Sequence, residues 1–581
     1  MKKSFILSFL GLFLIACEKN TTDVALDFPT TFETSNGTET ATYKEVIDFY
    51  LKLAREFPEI NIQTIGKTDS GLPLHLVTYN SEGDFNFNKI NKEKTVLFIN
   101  NGIHPGESDG IDATMLLYRD MASGKLSPPK NTVLVTIPIY NVGGSMNRNS
   151  TSRANQNGPK SYGFRGNALN YDLNRDFIKS DTKNARTFAQ IFHLVKPDIF
   201  IDNHVSNGAD YQYTLTHLFT QHNKLGGELG PYLHETFMPA LVDSLASNNY
   251  DITPYVNVFN KPPEVGFAQF LDHPRYSTGY TTLWNALGMM VETHMLKPYK
   301  NRVEGTYELM KGMIGLAEKE GSKIKELRSK STMAFLEMEY YPVHWKVDST
   351  KTSSITFKGF QADTIISEVT GFDRLKFNRD KPTTKETTYY DYYKATDSIK
   401  IPEAYIIKKQ LTEVIELLKT NGIKYSVIEK DTLRKVEAYT IESFETVNRP
   451  YEGHYLHYDT QVSSVIESIL FEAGDILVPS RQEGIRYLLE TLEPSAVDSF
   501  FNWNFFDTIL QQKEGFSPYV FEDTALLMLQ NDSVLRQEFA FKKQSDTAFS
   551  ENWYAQLDWL FKKSELYEKA HNRYPVYRVL K

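Results

Sequence analysis

Cysteine is all but missing. Cys17 is the only one in 581 residues, so no disulfide can form within the chain. A basic excess is missing too. There are 64 Lys and Arg against 73 Asp and Glu, the net charge is −9, and no basic stripe runs through the sequence, which excludes nucleic acid as a partner. No internal repeat or low-complexity tract is present. The one conspicuous apolar run, Phe5 to Ile15, is too short to span a bilayer as a helix. What remains is an ordinary globular composition, 41% hydrophobic and 24% charged, in a chain too long for a single core. Two or more domains are therefore expected.

The N-terminus carries an address. Met1-Lys2-Lys3 is a positive n-region, and the apolar run ends in Leu14-Ile15-Ala16-Cys17. This resembles a bacterial lipoprotein signal. The resemblance implies cleavage after residue 16, lipidation of Cys17 and a membrane held through that N-terminal lipid anchor. The expected location is that of an exported lipoprotein, on the outer membrane or facing the periplasm, with the cell surface open. Residues 17–36, rich in Thr, Asn and Glu, read as a flexible tether.

Beyond the tether, short β-branched runs alternate with amphipathic stretches. Thr42-x-x-Glu45 is a capping box opening a helix that stops before Pro58. Ile60 to Ile65 and Leu72 to Thr78 read as a strand pair. Buried strands then follow at Thr95–Ile99, Thr132–Ile139, Asp198–Asp202 and Gly288–His294, with helices near Asp109–Met121 and Thr182–Leu194 between them. Such alternation predicts an α/β fold, a mostly parallel or mixed twisted sheet flanked by helices. This domain is expected over 37–325. A β-rich connecting region should occupy 326–400, and a smaller C-terminal α+β or α/β accessory domain 401–581. In that last domain Ala404–Ile407, a helix to Leu418 and Ile423–Ile428 suggest a βαβ unit. Phe500 to Leu510, with Trp503, read as core or interdomain packing.

The chemistry starts at Asn100-Asn101-Gly102-Ile103-His104-Pro105-Gly106-Glu107. Asn, Gly and Pro break the preceding strand into a loop at its carboxyl end, where open α/β sheets place ligands. His104 and Glu107 form a short-spacer metal pair. A catalytic zinc needs a third protein ligand from elsewhere, and His204, at the end of a later strand, is the candidate ahead of Asp202, His217 and His222. Two imidazoles and a carboxylate without thiolate suit zinc, one ion for the domain. Asp202 could orient a ligand from behind, while His217 and His222 are expected at the surface or in a groove. Glu292 stands inside an apolar strand, where a carboxylate needs a special reason.

His104-x-x-Glu107, Asp172-Leu173-Asn174-Arg175-Asp176-Phe177, His204 and Val291-Glu292 stand in the order and strand context of the zinc carboxypeptidase family, the carboxypeptidase A-like metallopeptidases. The likeness spans roughly residues 40 to 320 and is nearest to exported bacterial lipoprotein members. It implies that His104, Glu107 and His204 bind zinc and that Glu292 is the general base. Asn174 and Arg175 would hold the substrate's free C-terminal carboxylate, a pairing that also suits a planar guanidinium fork beside an amide donor. Arg153 is the expected cation for the developing oxyanion, ahead of Arg148 and Arg165. Family members carry a mobile tyrosine that caps the substrate; Tyr276 is the choice here over Tyr280, on a loop that looks shorter than in the digestive members.

Together these readings describe a zinc metallocarboxypeptidase that hydrolyses the C-terminal bond of peptides outside the cytoplasm. A zinc amidase acting on N-acyl amino acids or cell-wall peptides would use the same machinery. A non-enzymatic surface lipoprotein that captures peptides or glycans is the contrasting class, and it would have no need for Glu292 or for the metal ligands.

Overall fold

The computed structural model describes residues 28–581; the signal peptide, Cys17 and most of the tether lie outside them. A first helix, α1 (Tyr43–Glu56), opens with the expected capping box: Thr42 accepts from the Glu45 amide, and Glu45 reaches back to the Thr42 amide. The strands that follow are β1 (Ile60–Lys67), β2 (Pro73–Tyr79), β3 (Thr95–Asn100), β4 (Thr132–Ile137), β5 (Ile199–Ser206), β6 (Leu215–Phe219), β7 (Ile252–Pro254), the two-residue β8 (Phe267–Ala268) and β9 (Leu287–His294). All but β8 form one eight-stranded sheet in the order β1-β2-β4-β3-β5-β9-β6-β7. Its centre, β4-β3-β5-β9, is parallel; β1 and β2 run antiparallel to their neighbours, and β6 is antiparallel to β9 but parallel to β7.

Every residue of β3, β4, β5 and β9 is buried, as expected of strands covered on both faces. The period of two sorts their side chains between two cores. Leu97, Ile99 and Met289 face α2 (Asp109–Ala122) and the long α4 (Tyr299–Glu337). Val96, Phe98 and Phe200 face α3 (Lys183–Val195), where Phe188 stacks on Phe98. This second core runs on without a break into the C-terminal domain through Tyr405, Leu417, Tyr487 and Phe500.

Three expectations need correction. First, the tether does not extend to residue 36. Phe28 and Phe32 are buried, and Arg119 donates to the Phe28 carbonyl (3.2 Å) and to Glu33 (2.6 Å), so this stretch is docked onto α2. Second, the catalytic domain's last helix does not close near 325. Gly321 lies inside it where the helix crosses β3, and a Cβ there would collide with the Thr95 side chain. The helix runs 39 residues to Glu337.

Third, the C-terminal domain holds no adjacent βαβ pair. The connecting strands are β10 (Tyr340–Val347), β11 (Ser353–Ile366), β12 (Asp373–Tyr390) and β13 (Tyr393–Lys400). Then come β14 (Ala404–Ile407), β15 (Ser426–Val427), β16 (Thr432–Thr446), β17 (His457–Phe471), β18 (Ile476–Pro479) and β19 (Val576–Val579). The last six form an antiparallel sheet ordered β15-β18-β14-β19-β16-β17, so β18 separates the two strands the sequence pattern would pair. The long β11–β12 hairpin is not a free connector either, since β12 pairs with β8 of the first domain.

Gly110, one residue into α2, shows how tightly the sheet and helices meet beside the metal-pair loop. A Cβ there would lie 2.4 Å from Asn203 Cβ and 2.5 Å from Asn101 Oδ1. Gly110→Ala should lower unfolding free energy by about 1–3 kcal/mol, the usual cost of overpacking, measured by denaturant titration.

Candidate active site

The site is built where β3, β5 and β9 end side by side. Asn100 donates to Asp202 Oδ1 across β3 and β5 (3.0 Å), and Asn203 donates to Asn101 Oδ1 (2.8 Å), so buried amides lock the strand ends together. Gly102, at φ +65°, then turns the chain in a conformation that suits glycine. The loop delivers His104 and Glu107, while His204 on β5 sits directly opposite Glu292 on β9.

Glu107 is the hub of the constellation. Its Oε1 lies 3.2 Å from His104 Nδ1 and 2.7 Å from Arg153 Nη1, and its Oε2 lies 3.1 Å from His204 Nδ1. The Val205 amide also donates to Oε2 at 2.9 Å. Burial would raise the Glu107 pKa, but Arg153 and His104 outweigh it and hold the carboxyl well below its usual range. Each imidazole is backed by a second carboxylate. His104 Nε2 donates to Asp172 Oδ1 at 2.8 Å, and His204 Nε2 lies 3.0 Å from Asp202 Oδ2. The Nδ1 atom of each ring is thereby turned toward Glu107.

These three residues fit a metal ion. Their ligand atoms lie within 4.8 Å of one another, and the buried His104 Nδ1 has no hydrogen-bond partner. Among the described residues this is the only such group. Burial disfavours a charged His204, yet Asp202 and Glu107 push its pKa well above normal. The same carboxylates that hold a proton there would hold a cation instead. Two imidazoles and one carboxylate, each ring oriented from behind, is the donor set of a catalytic zinc.

His104, Glu107, Arg153, Asn174, Arg175, His204, Tyr276 and Glu292 line one chamber. Arg165 joins them: its Nη1 lies 3.5 Å from Glu107 Oε1, and its Nε donates to Asp172 Oδ2 at 2.9 Å. Arg148 points elsewhere, bonding the Thr40, Ala41 and Ser161 carbonyls. The Arg175 guanidinium lies 4.6 Å from the Tyr276 ring centre, whereas Tyr280 is buried in the core and donates to Asn421. Burial pushes Glu292 up to about 8, with the charge of Glu107 adding to it against the opposing cations.

The expectation for His217 and His222 is overturned. Both are buried: His217 packs beside Phe219 on β6, and the His222 ring stacks 4.1 Å from His234. Every residue of β6 is buried, so both faces of the strand are covered and His217 has no route to solvent. Two functional candidates escaped the sequence reading. Asp172 is the partner of His104, legible only as part of a motif. Asp272 is buried, lines the chamber and is pushed by that burial up to about 7, with Thr278 donating to one oxygen and the other lacking a partner. Nothing in its sequence setting, Leu271-Asp272-His273-Pro274, marks it.

A mixed α/β sheet with this ligand set and a carboxylate beside it defines a zinc-hydrolase type of centre. Residues 46–198 match the family model described as zinc carboxypeptidase, a segment holding His104, Glu107, Arg153, Asn174 and Arg175. Over that segment the chain is similar to zinc carboxypeptidases. No curated protein sequence matches it. Similar solved structures include a metallo-carboxypeptidase from Burkholderia cenocepacia (14% identity, TM-score 0.36, 48% of this chain and 70% of that one). Others are carboxypeptidase A from Helicoverpa armigera (14%, 0.37, 48% and 74%) and a metallo-carboxypeptidase from Pseudomonas aeruginosa (12%, 0.37, 48% and 70%).

Loss of an orienting carboxylate should weaken the metal site without emptying it. Asp172→Asn and Asp202→Asn should each reduce zinc affinity by roughly 10–100-fold, read by competition against a chromogenic chelator. Unchanged affinity in both would remove these residues from the site.

Proposed function

We propose that this protein removes single residues from the C-termini of peptides outside the cytoplasm, held to a membrane by a lipid on Cys17. The observation carrying the catalytic part is the layout of one chamber. A metal-ligand triad and Glu292 line it together with Asn174 and Arg175, which are suited to a substrate's terminal carboxylate. The location rests on the N-terminal sequence alone.

In this reading His104, Glu107 and His204 hold zinc. When bound, zinc lowers the pKa of its water and polarises the scissile carbonyl. The chain's own groups do the rest. Arg175 and Asn174 bind the α-carboxylate and thereby fix which bond is presented. Tyr276, stacked on Arg175, covers the bound end residue. Glu292, the one chamber carboxylate on β9, takes the proton of the attacking water and hands it to the leaving amine nitrogen. Arg153 donates toward the oxygen that gains charge, with Arg165 beside it. Arg153 also donates to Glu107 at 2.7 Å, which places its guanidinium beside the metal ligands.

The test is release of amino acids from a mixed peptide library, with zinc, with chelator and with Glu292→Gln. Single C-terminal residues should appear with zinc and disappear with chelator, and the variant should lose roughly 10²–10⁴ in kcat, the contribution of a positioned base. A zinc-loaded protein that frees nothing from free-carboxylate peptides contradicts the carboxypeptidase reading and leaves acylated amino acids as the substrates to try. A companion variant, Arg175→Lys, should raise KM more than it lowers kcat, because a point charge replaces a planar fork.

A further inference from the structure

The segment Asp172–Arg175 bears on both halves of the site. Asp172 backs the His104 ring, while Asn174 and Arg175 face the substrate end of the chamber. It is a single turn of 3-10 helix, with a short-range frame of its own that consists chiefly of the Asp172 side chain accepting from the Asn174 amide at 2.9 Å. Such a piece of backbone needs support from outside. The support comes from a part of the chain 280 residues away.

Between β16 and β17 the C-terminal domain makes a tight turn, Tyr451-Glu452-Gly453-His454. The Tyr451 amide donates to the His454 carbonyl (2.7 Å) and the His454 amide to the Tyr451 carbonyl (3.1 Å). Both central residues are left-handed, Glu452 at φ +50° and Gly453 at φ +83°, as in the type I′ hairpin turn. Glu452 is an unfavourable residue for that conformation, and its carboxylate has a specific partner: Oε2 accepts the Asp172 backbone amide at 2.7 Å. Gly453 lies against Tyr171, where a Cβ would come within 2.8 Å of the phenol oxygen. His454 Nε2 donates to Asp181 at 2.7 Å, and Asp181 shares Lys179 with Asp176.

The same domain grips the tyrosine loop from the other side. Tyr451 stacks on the buried Trp503 (6.1 Å, 18°), the Arg275 guanidinium lies over both rings, and Arg275 is held by two bonds to Asp498. Arg275 immediately precedes Tyr276. Two walls of the chamber, 172–175 and 275–276, are thus braced by residues after 450.

We propose that the C-terminal domain is a component of the active site, in which Glu452 positions Asp172 behind His104. Glu452 is a positioning residue and does not touch substrate. The inference rests on the metal site and stands apart from the carboxypeptidase reading.

The test uses the full-length zinc-loaded protein. Glu452→Gln keeps an acceptor for the Asp172 amide, whereas Glu452→Ala removes it. Zinc affinity, read by chelator competition, should fall about tenfold in the Ala variant and stay within about twofold of the parent in the Gln variant. Equal zinc affinity in Glu452→Ala and the parent overturns the proposal. A parent protein that binds zinc and releases no amino acid defeats the function instead, and the zinc titration still decides the role of Glu452.

Discussion

Buried negative charge in need of a cation is the constraint on which this structure turns. Glu107, Asp172, Asp202 and Glu292 are gathered at the ends of three parallel strands, each largely or wholly out of water. Unpaired carboxylates in such a place cost several kcal/mol each. Arg153, Arg165 and Arg175 answer part of the charge from one side. The two imidazoles, each with a carboxylate at its back, answer the rest, and their Nδ1 atoms converge where a divalent ion would complete the balance. The protein is thus arranged around a charge that it does not itself carry.

The sheet makes that arrangement affordable. Parallel strands end together, so a single register, His204 against Glu292, brings a ligand and a base side by side without any loop having to choose a conformation. The looser parts are the long segments from Arg153 to Arg175 and from Phe270 to Tyr276, which carry the cations and the substrate-facing groups. The C-terminal domain meets them at Tyr171 and Asp172 and at Arg275. Its sheet continues the core on the α3 face, and its aromatic cluster around Trp503 meets Lys179 and Arg275. Packing and active-site support are in this respect one contact.

Much of this was legible in the sequence, and for identifiable reasons. Buried parallel strands are nearly continuous apolar runs, so Thr95–Ile99 and Gly288–His294 announced themselves, and polar residues at their ends stood out against that background. His104, Glu107, His204 and Glu292 are all of this kind. What failed depended on contacts remote in sequence. Gly321 sits inside α4 where the helix crosses β3 against Thr95, and the burial of His217 follows from cover on both faces of β6. The antiparallel C-terminal sheet turns on β18 and β19 entering between earlier strands, an order that local periodicity does not encode. Asp272 carries no local signal at all, because its importance comes only from burial beside the chamber.

The central claim is that His104, Glu107 and His204 close on one ion, with the ring nitrogens assigned by the carboxylates behind them. A crystal of the zinc-loaded protein measured at the zinc absorption edge tests this most directly. The account predicts one anomalous peak per chain, bonded to Nδ1 of His104, Nδ1 of His204 and the Glu107 carboxylate at about 2.0–2.2 Å, with Asp172 and Asp202 still on the Nε2 sides. No peak in the chamber, or a peak bound through Nε2 with those two carboxylates displaced, would contradict it.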